Sequence, residues 1–327
     1  MMMTFPEEVR VRRPTMNDVS AVFTLMLARN QAEYSEVDMT EEHIRNFWQA
    51  PDFNMATDAW VVTTHDGQMI GYASVWHQQH VRIYTYFTVL SEYNHLHIKA
   101  RLLDLVERRA QQYLAEAPAG TRVTLGTGIA DVNIADQQLL AQAGYHRERG
   151  QWRMEIEMYE APPLAVWPEG VSVRPCIPEQ DTHAIFETQL DAFAEHRGYT
   201  QPSFETWEHF HVKQEGFDPS LWFLACEGKT VAGICLCNYW VSDGFVGTLG
   251  VGHSWRRKGL GLALLHHSFA EFYRRGTRTV KLMVDTLNPT GATRLYERAG
   301  MHVTQLRYLY EKELRPGKEP GDLTTTE

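Results

Sequence analysis

Trp60 and Trp222 stand 162 residues apart, and so do Gly71 and Gly233. Around them the chain repeats itself. Ala59-Trp60-Val61-Val62, a turn at Asp66-Gly67 and Ile70-Gly71-Tyr72-Ala73 return as Leu221-Trp222-Phe223-Leu224, a turn at Glu227-Gly228 and Ala232-Gly233-Ile234-Cys235. Upstream, Arg13-Pro14 returns as Arg174-Pro175. Downstream, Asn133 and Ala143-Gly144-Tyr145 return as Asn288 and Ala299-Gly300-Met301. The matches keep their order while the offset drifts only between 155 and 162 residues, which a chance series does not do. Such a chain is built from two copies of one domain.

At 327 residues the chain has enough material for a core in each copy. Residues 1–160 hold the first copy and 171–314 the second. Between them 161–170 carries three prolines and a glycine, which suit a linker. The tail 315–327, rich in proline, glycine and charge, reads as disordered. An apolar share of 43% with 22% charge belongs to a soluble globular protein. No apolar run reaches the ~18–20 residues that span a bilayer, and Met1–Glu8 lacks the basic and apolar segments of a signal peptide. The expectation is a cytoplasmic protein, a monomer or homodimer, with no membrane contact. Cys176, Cys226, Cys235 and Cys237 form no CxxC pair and read as reduced core thiols, so no metal is expected. The net charge of −10 argues against a nucleic-acid surface and leans towards a cationic small-molecule partner.

The second copy carries the richest local signal. An apolar strand, Gly244–Val251, runs into Arg256-Arg257-Lys258-Gly259-Leu260-Gly261, and Leu262 continues into a helix with apolar residues at 262, 265, 269, 272 and 273. A helix start exposes unpaired N–H groups and the positive end of the dipole, which suits a phosphate. Glycines at 259 and 261 let the backbone approach an anion closely. The order read along this copy is β-α-α-β-β-β-α-β-α-β-β, a mixed α/β sheet.

Those elements, the Arg256-x-x-Gly259-x-Gly261 turn, Asn288 after the next strand and Leu295-Tyr296-Glu297-Arg298-Ala299-Gly300-Met301 resemble the GNAT acetyltransferase superfamily. The resemblance implies an α/β fold of two tandem GNAT-like domains, each a mixed, mostly antiparallel sheet flanked by helices. It implies acetyl-CoA as co-substrate, no metal, and a small-molecule amine as acceptor. Leu249, Gly250 and Val251 would line the acetyl and pantetheine arm. Arg256, Arg257, Lys258, Gly259, Leu260, Gly261 and Leu262 would hold the phosphates, Asn288 the arm, and Tyr296 the departing thiolate. The resemblance covers both halves, but its motifs are complete only in 246–301.

Acyl transfer from a thioester to an amine needs a neutral amine, a polarised carbonyl and a proton for the thiolate. A strand N–H such as that of Val251 is suited to the second task. A phenol, with an ordinary pKa near ~10, is suited to the third. The strand 245–251 carries no carboxylate, although many members of the superfamily use a Glu there. Glu195 and His196 are the candidate general bases, with a solvated helix end as the alternative reading, and Asp285 is a further candidate.

The first copy departs from the pattern. After Thr85–Leu90 it reads Ser91-Glu92-Tyr93-Asn94-His95-Leu96-His97 with no glycine, and Leu140 stands where the second copy has Tyr296. It keeps the fold and lacks both the cofactor grip and the acid. A degenerate first copy beside an intact second resembles the mycothiol synthases in layout. Small amines, aminoglycoside-like sugar amines, amino acids and peptide N-termini stay open as acceptors. A non-catalytic acyl-CoA-binding or sensing protein is the alternative of another class.

Overall fold

Strand residues 222–226 divide by parity between two cores. Phe223 and Ala225 belong to one buried cluster, whereas Trp222, Leu224 and Cys226 belong to another on the opposite face. A strand covered on both faces needs apolar residues at every position, which is why this segment shows no alternation. The computed structural model describes residues 5–34, 39–194, 199–288 and 290–320.

In chain order the elements are β1 (Val9–Arg12), α1 (Val19–Tyr34), α2 (Glu41–Trp48), α3 (Met55–Asp58), β2 (Ala59–Thr64), β3 (Met69–Gln78) and β4 (Arg82–Val89). Then come α4 (Ile98–Tyr113), β5 (Val123–Ala130), α5 (Ile134–Gln142) and β6 (His146–Glu157). The second half has β7 (Val171–Pro175), α6 (Pro178–Phe193), α7 (Phe204–His211), β8 (Trp222–Glu227), β9 (Thr230–Trp240) and β10 (Asp243–Val251). It ends with α8 (Leu260–Arg274), β11 (Thr279–Asp285), α9 (Ala292–Arg298) and β12 (His302–Arg315). Among the described residues no helix is long and apolar enough to cross a membrane.

The chain divides into two compact units, Met1–Arg149 with Glu208–Phe210 and Arg307–Glu327, and Gly150–Trp207 with His211–Leu306. These lines differ from those drawn from the repeat, because two strands join sheets other than the ones their place in the repeat implies. In the first unit, strands β1 to β5 lie in order and Arg307–Arg315 of β12 pairs antiparallel with β5. In the second, β7 to β11 lie in order and Gln151–Glu157 of β6 pairs antiparallel with β11. Each unit therefore has one parallel pair in a mostly antiparallel sheet.

The tail expected to be disordered is partly fixed. Lys318 donates to Gly120 O and accepts from Arg122 N, at 2.9 and 2.8 Å, while Glu319 pairs with Arg82 and Arg122. Its backbone finds partners that composition does not reveal. Residues 321–327 lie outside the described residues.

In the first unit β4 and β5 pair only from Arg82–Tyr84 against Thr124–Gly126, and beyond that they part. A side chain takes the vacated edge: Arg29 Nη1 donates to Phe87 O at 2.7 Å and Nε to Glu33 at 2.9 Å. Asp136 lies 3.8 Å from Arg29 Nη2 and accepts from Lys99 at 2.6 Å. Burial opposes the Arg29 charge, but Tyr86, Glu33 and Asp136 outweigh it and hold the guanidinium protonated. Where the second unit has its glycine turn, this one has a short 3-10 helix at Ser91–Leu96. His97, in the left-handed region at φ 52°, then caps α4 without a side-chain bond.

Candidate active site

The second unit repeats that parting of strands but leaves it open. β10 and β11 pair in parallel from Gly244–Val246 against Val280–Leu282 and then separate. A bulge at Gly247 begins the separation, while β10 stays paired with β9 as far as Val251 opposite Gly233. Gly252 N donates to Ala232 O at 3.0 Å, so the even-numbered amides 250 and 252 face β9. By alternation Leu249 and Val251 turn their peptide groups to the open side.

That edge leads to the start of α8. Gly259 is the N-cap at φ 86°, and Arg257 also sits in the left-handed region at φ 62°. No side chain caps this end. The first helical bond runs from Ala263 N to Gly259 O at 3.1 Å, so the amides of Leu260, Gly261 and Leu262 lack intrahelical acceptors. Three such amides with the helix dipole behind them are suited to an anion. A Cβ on Gly259 would meet nothing within 4 Å, so its glycine answers to backbone conformation. Gly261 answers to packing: a Cβ there would come within 3.1 Å of Leu295 Cδ2 on α9.

A cavity of about 640 Å³ joins these parts. Its wall includes Leu249, Gly250, Val251, Arg256, Arg257, Gly259, Leu260, Gly261, Leu262, Asn288 and Tyr296. Lys258 is exposed and outside the wall. Tyr296 is buried within the core under α8 and α9, and burial, with Cys235 nearby, pushes its phenol well above the ordinary range. It is at once a core residue and a cavity residue. Asn288 uses Oδ1 to accept from Thr290 N at 2.9 Å and Thr290 Oγ1 at 2.6 Å, which shapes the entry to α9. Asn133 does the same at α5, accepting from Asp136 N at 3.1 Å, so the repeated asparagine has a turn-forming role in both halves.

Arg256 serves the frame as well as the wall: Nη2 donates to Ala192 O at 3.1 Å and Nε to Val251 O at 3.4 Å. Asp191 Oδ2 accepts from His253 N at 3.0 Å, a second tie between the end of α6 and the loop. Asp285 is the one carboxylate among the described lining residues, and its Oδ1 accepts from Leu287 N at 2.8 Å. Glu195 and His196 lie outside the described residues. The four cysteines are buried and free, and no cluster of metal ligands exists among the described residues.

The sequence reading missed Phe193, Met283, Arg294 and Arg298, all on the wall. The arginines had a signal, since a spacing of four puts both on one face of α9. Phe193 and Met283 had none, because they enter the wall only through the fold.

A model of the acetyltransferase (GNAT) family matches residues 182–301. The GCN5-related N-acetyltransferase from Sphaerobacter thermophilus, known from its crystal structure, is 33% identical, with 97% of this chain and 99% of that one covered and a TM-score of 0.82. The tandem GNAT protein from the clavulanic acid biosynthesis pathway has a TM-score of 0.74 at 15% identity, over 95% of this chain and 100% of that one, a likeness of fold. The mycothiol acetyltransferase of Thermobispora bispora is 32% identical over 193 residues, which are 54% of this chain and 62% of that protein. That of Geodermatophilus obscurus is 32% identical over 180 residues, 50% and 55% respectively. The chain thus spans under two thirds of the length of the curated relatives it matches. It belongs to the GCN5-related N-acetyltransferase (GNAT) family.

Proposed function

We propose that the second unit moves an acetyl group from acetyl-CoA to the primary amine of a small molecule by direct attack on the thioester. One observation carries the reading: the open edge of β10 runs from the uncapped amides of α8 to the place where β10 and β11 meet, with Tyr296 on the same cavity wall. The amides at 260–262 take the pyrophosphate, and the peptide groups of Leu249 and Val251 take the pantetheine arm and the thioester oxygen. The amine nitrogen bonds to the carbonyl carbon, the carbon–sulfur bond breaks, and the thiolate takes the proton of Tyr296. Burial suits that phenol to its task by keeping it protonated. Glu195 or His196 takes the proton from the nitrogen. The first unit takes no part in the chemistry, a reading supported by Arg29 on its vacated strand edge.

The name shared by the curated relatives makes the mycothiol acceptor the first amine to test, before aminoglycosides, amino acids and peptides. The assay is release of free thiol from acetyl-CoA with each amine. Turnover with one class, reduced about a hundredfold or more in Tyr296→Phe while acetyl-CoA still binds, supports the reading. Binding with no turnover on any amine supports a sensing protein instead. Alanine at 195 and at 196 with full turnover across pH removes both as the base.

A further inference from the structure

The cavity wall has the opposite sign to the chain. Among the described lining residues Arg256, Arg257, Arg294 and Arg298 stand against a single carboxylate, that of Asp285, in a protein of net charge −10. Asp285 spends one oxygen on a backbone amide, and Arg256 spends its guanidinium on two carbonyls. That leaves three arginines. Arg257, Arg294 and Arg298 are exposed, and no hydrogen bond or ion pair to their side chains occurs among the described residues. Arg294 and Arg298 lie one turn apart on α9, so both face the cavity across from the start of α8.

One pyrophosphate does not require this much charge. The uncapped amides of α8 already supply donors for a diester-type anion, and they use the dipole to do so. Guanidinium groups on a separate helix, with donors in a fixed fork, suit a phosphate with two or more free oxygens. We infer that Arg294 and Arg298 form a second anion subsite that reads the 3′-phosphomonoester of coenzyme A. The subsite rests on the acetyl-CoA reading above and adds a selection rule to it: the unit takes free acyl-CoA and discriminates against pantetheine thioesters that lack this phosphate. Arg257, on the α8 side, adds long-range attraction to both anions.

The test is calorimetric titration with coenzyme A and with 3′-dephospho-coenzyme A, on wild type and on the double variant R294Q/R298Q. Both side chains are exposed and carry no hydrogen bond or ion pair among the described residues, so the variant is expected to melt with the wild type. The expected result is dephospho-coenzyme A binding about tenfold or more weakly than coenzyme A to wild type, the scale of charge-assisted hydrogen bonds. In the variant coenzyme A falls to the dephospho level, and dephospho-coenzyme A is unchanged. Equal binding of both ligands to wild type overturns the subsite, since nothing then reads the phosphate. So does a variant that weakens both ligands alike, which assigns the arginines to the pyrophosphate. Failure of wild type to bind either ligand overturns the acetyl-CoA reading itself, and the subsite with it.

Discussion

Val246 lies opposite Leu282 on the last rung of the parallel ladder between β10 and β11. Beyond it β10 continues to Val251 against β9, and β11 continues to Asp285 against β6, each with one edge unpaired towards the other. Backbone groups left this way inside a protein need another partner. In the first unit the equivalent edge is met by Arg29 from α1. In the second Val251 O accepts from Arg256 Nε at 3.4 Å, and the space between the strands is a cavity.

Removal of Arg29 should be costly, because it leaves Glu33 buried without its cation and Asp136 with Lys99 alone. Arg29→Met is expected to lower stability by about 3–5 kcal/mol in urea unfolding, the range for a broken buried pair. Binding of acetyl-CoA, measured where the variant is still folded, should not change. A loss below about 1 kcal/mol would show that the network carries little of the first unit's stability.

The two glycines of the turn should fail in different ways. Gly259→Ala forces a Cβ into the left-handed region and is expected to lower acetyl-CoA affinity about tenfold. Gly261→Ala presses on Leu295 and is expected to cost about 1 kcal/mol of stability. The partner identifies itself in a double-mutant cycle, with Leu295→Ala costing less in the Gly261→Ala background than alone. Additive costs would remove the packing explanation.

Turnover at high pH reports on Tyr296. Burial raises its phenol, so the proton it gives to sulfur is retained beyond the point where an exposed tyrosine titrates. The expected profile of kcat/KM stays level from about pH 8.5 to about pH 10, where an ordinary phenol near ~10 would already be failing. A fall with a midpoint below about pH 9.5 that Tyr296→Phe abolishes would contradict this.

Acid should weaken the first unit through His77. Burial, with His80 stacked at 3.9 Å, pushes this imidazole down to about 4 from 6.5, with Asp52, Asp58 and Glu116 acting in the opposite sense. Its depressed value means that the unfolded chain binds the proton more readily. The stability it contributes is complete above pH 6.5 and is lost as pH falls towards 4. Allowing for solvent screening, wild type should lose about 1 kcal/mol between about pH 7 and about pH 5, and His77→Phe should lose measurably less. Identical pH dependence of thermal melting in the two proteins would rule His77 out.

Much of this was legible in the chain. β8 and β9 flank the expected turn at Glu227-Gly228, β10 ends at Val251 as expected, and α8 starts within the glycine turn. The paired glycines also hold equivalent positions, Gly71 opposite Val89 and Gly233 opposite Val251. These signals are local: periodicity, turn residues and a repeat. What stayed hidden is non-local. Nothing in the pattern of 146–157 says that it will pair with β11, because alternation specifies a face and leaves the neighbouring strand unspecified. Gly261 packs against Leu295 and Asn288 accepts from Thr290, structural uses that stand beside any binding role and that the sequence does not reveal. Glycine at a helix start and asparagine before one have structural as well as binding uses, and sequence alone does not separate them.

Titration of acetyl-CoA into the whole chain, beside the Gly259→Glu variant, decides whether the start of α8 holds the cofactor. One site per chain is predicted, with its loss when a carboxylate is placed at the start of α8. Two sites would mean that Arg29 does not close the first unit to the cofactor. One site that survives Gly259→Glu would put the ligand elsewhere, and no binding would leave the family fold without the acetyl-transfer reading built on it.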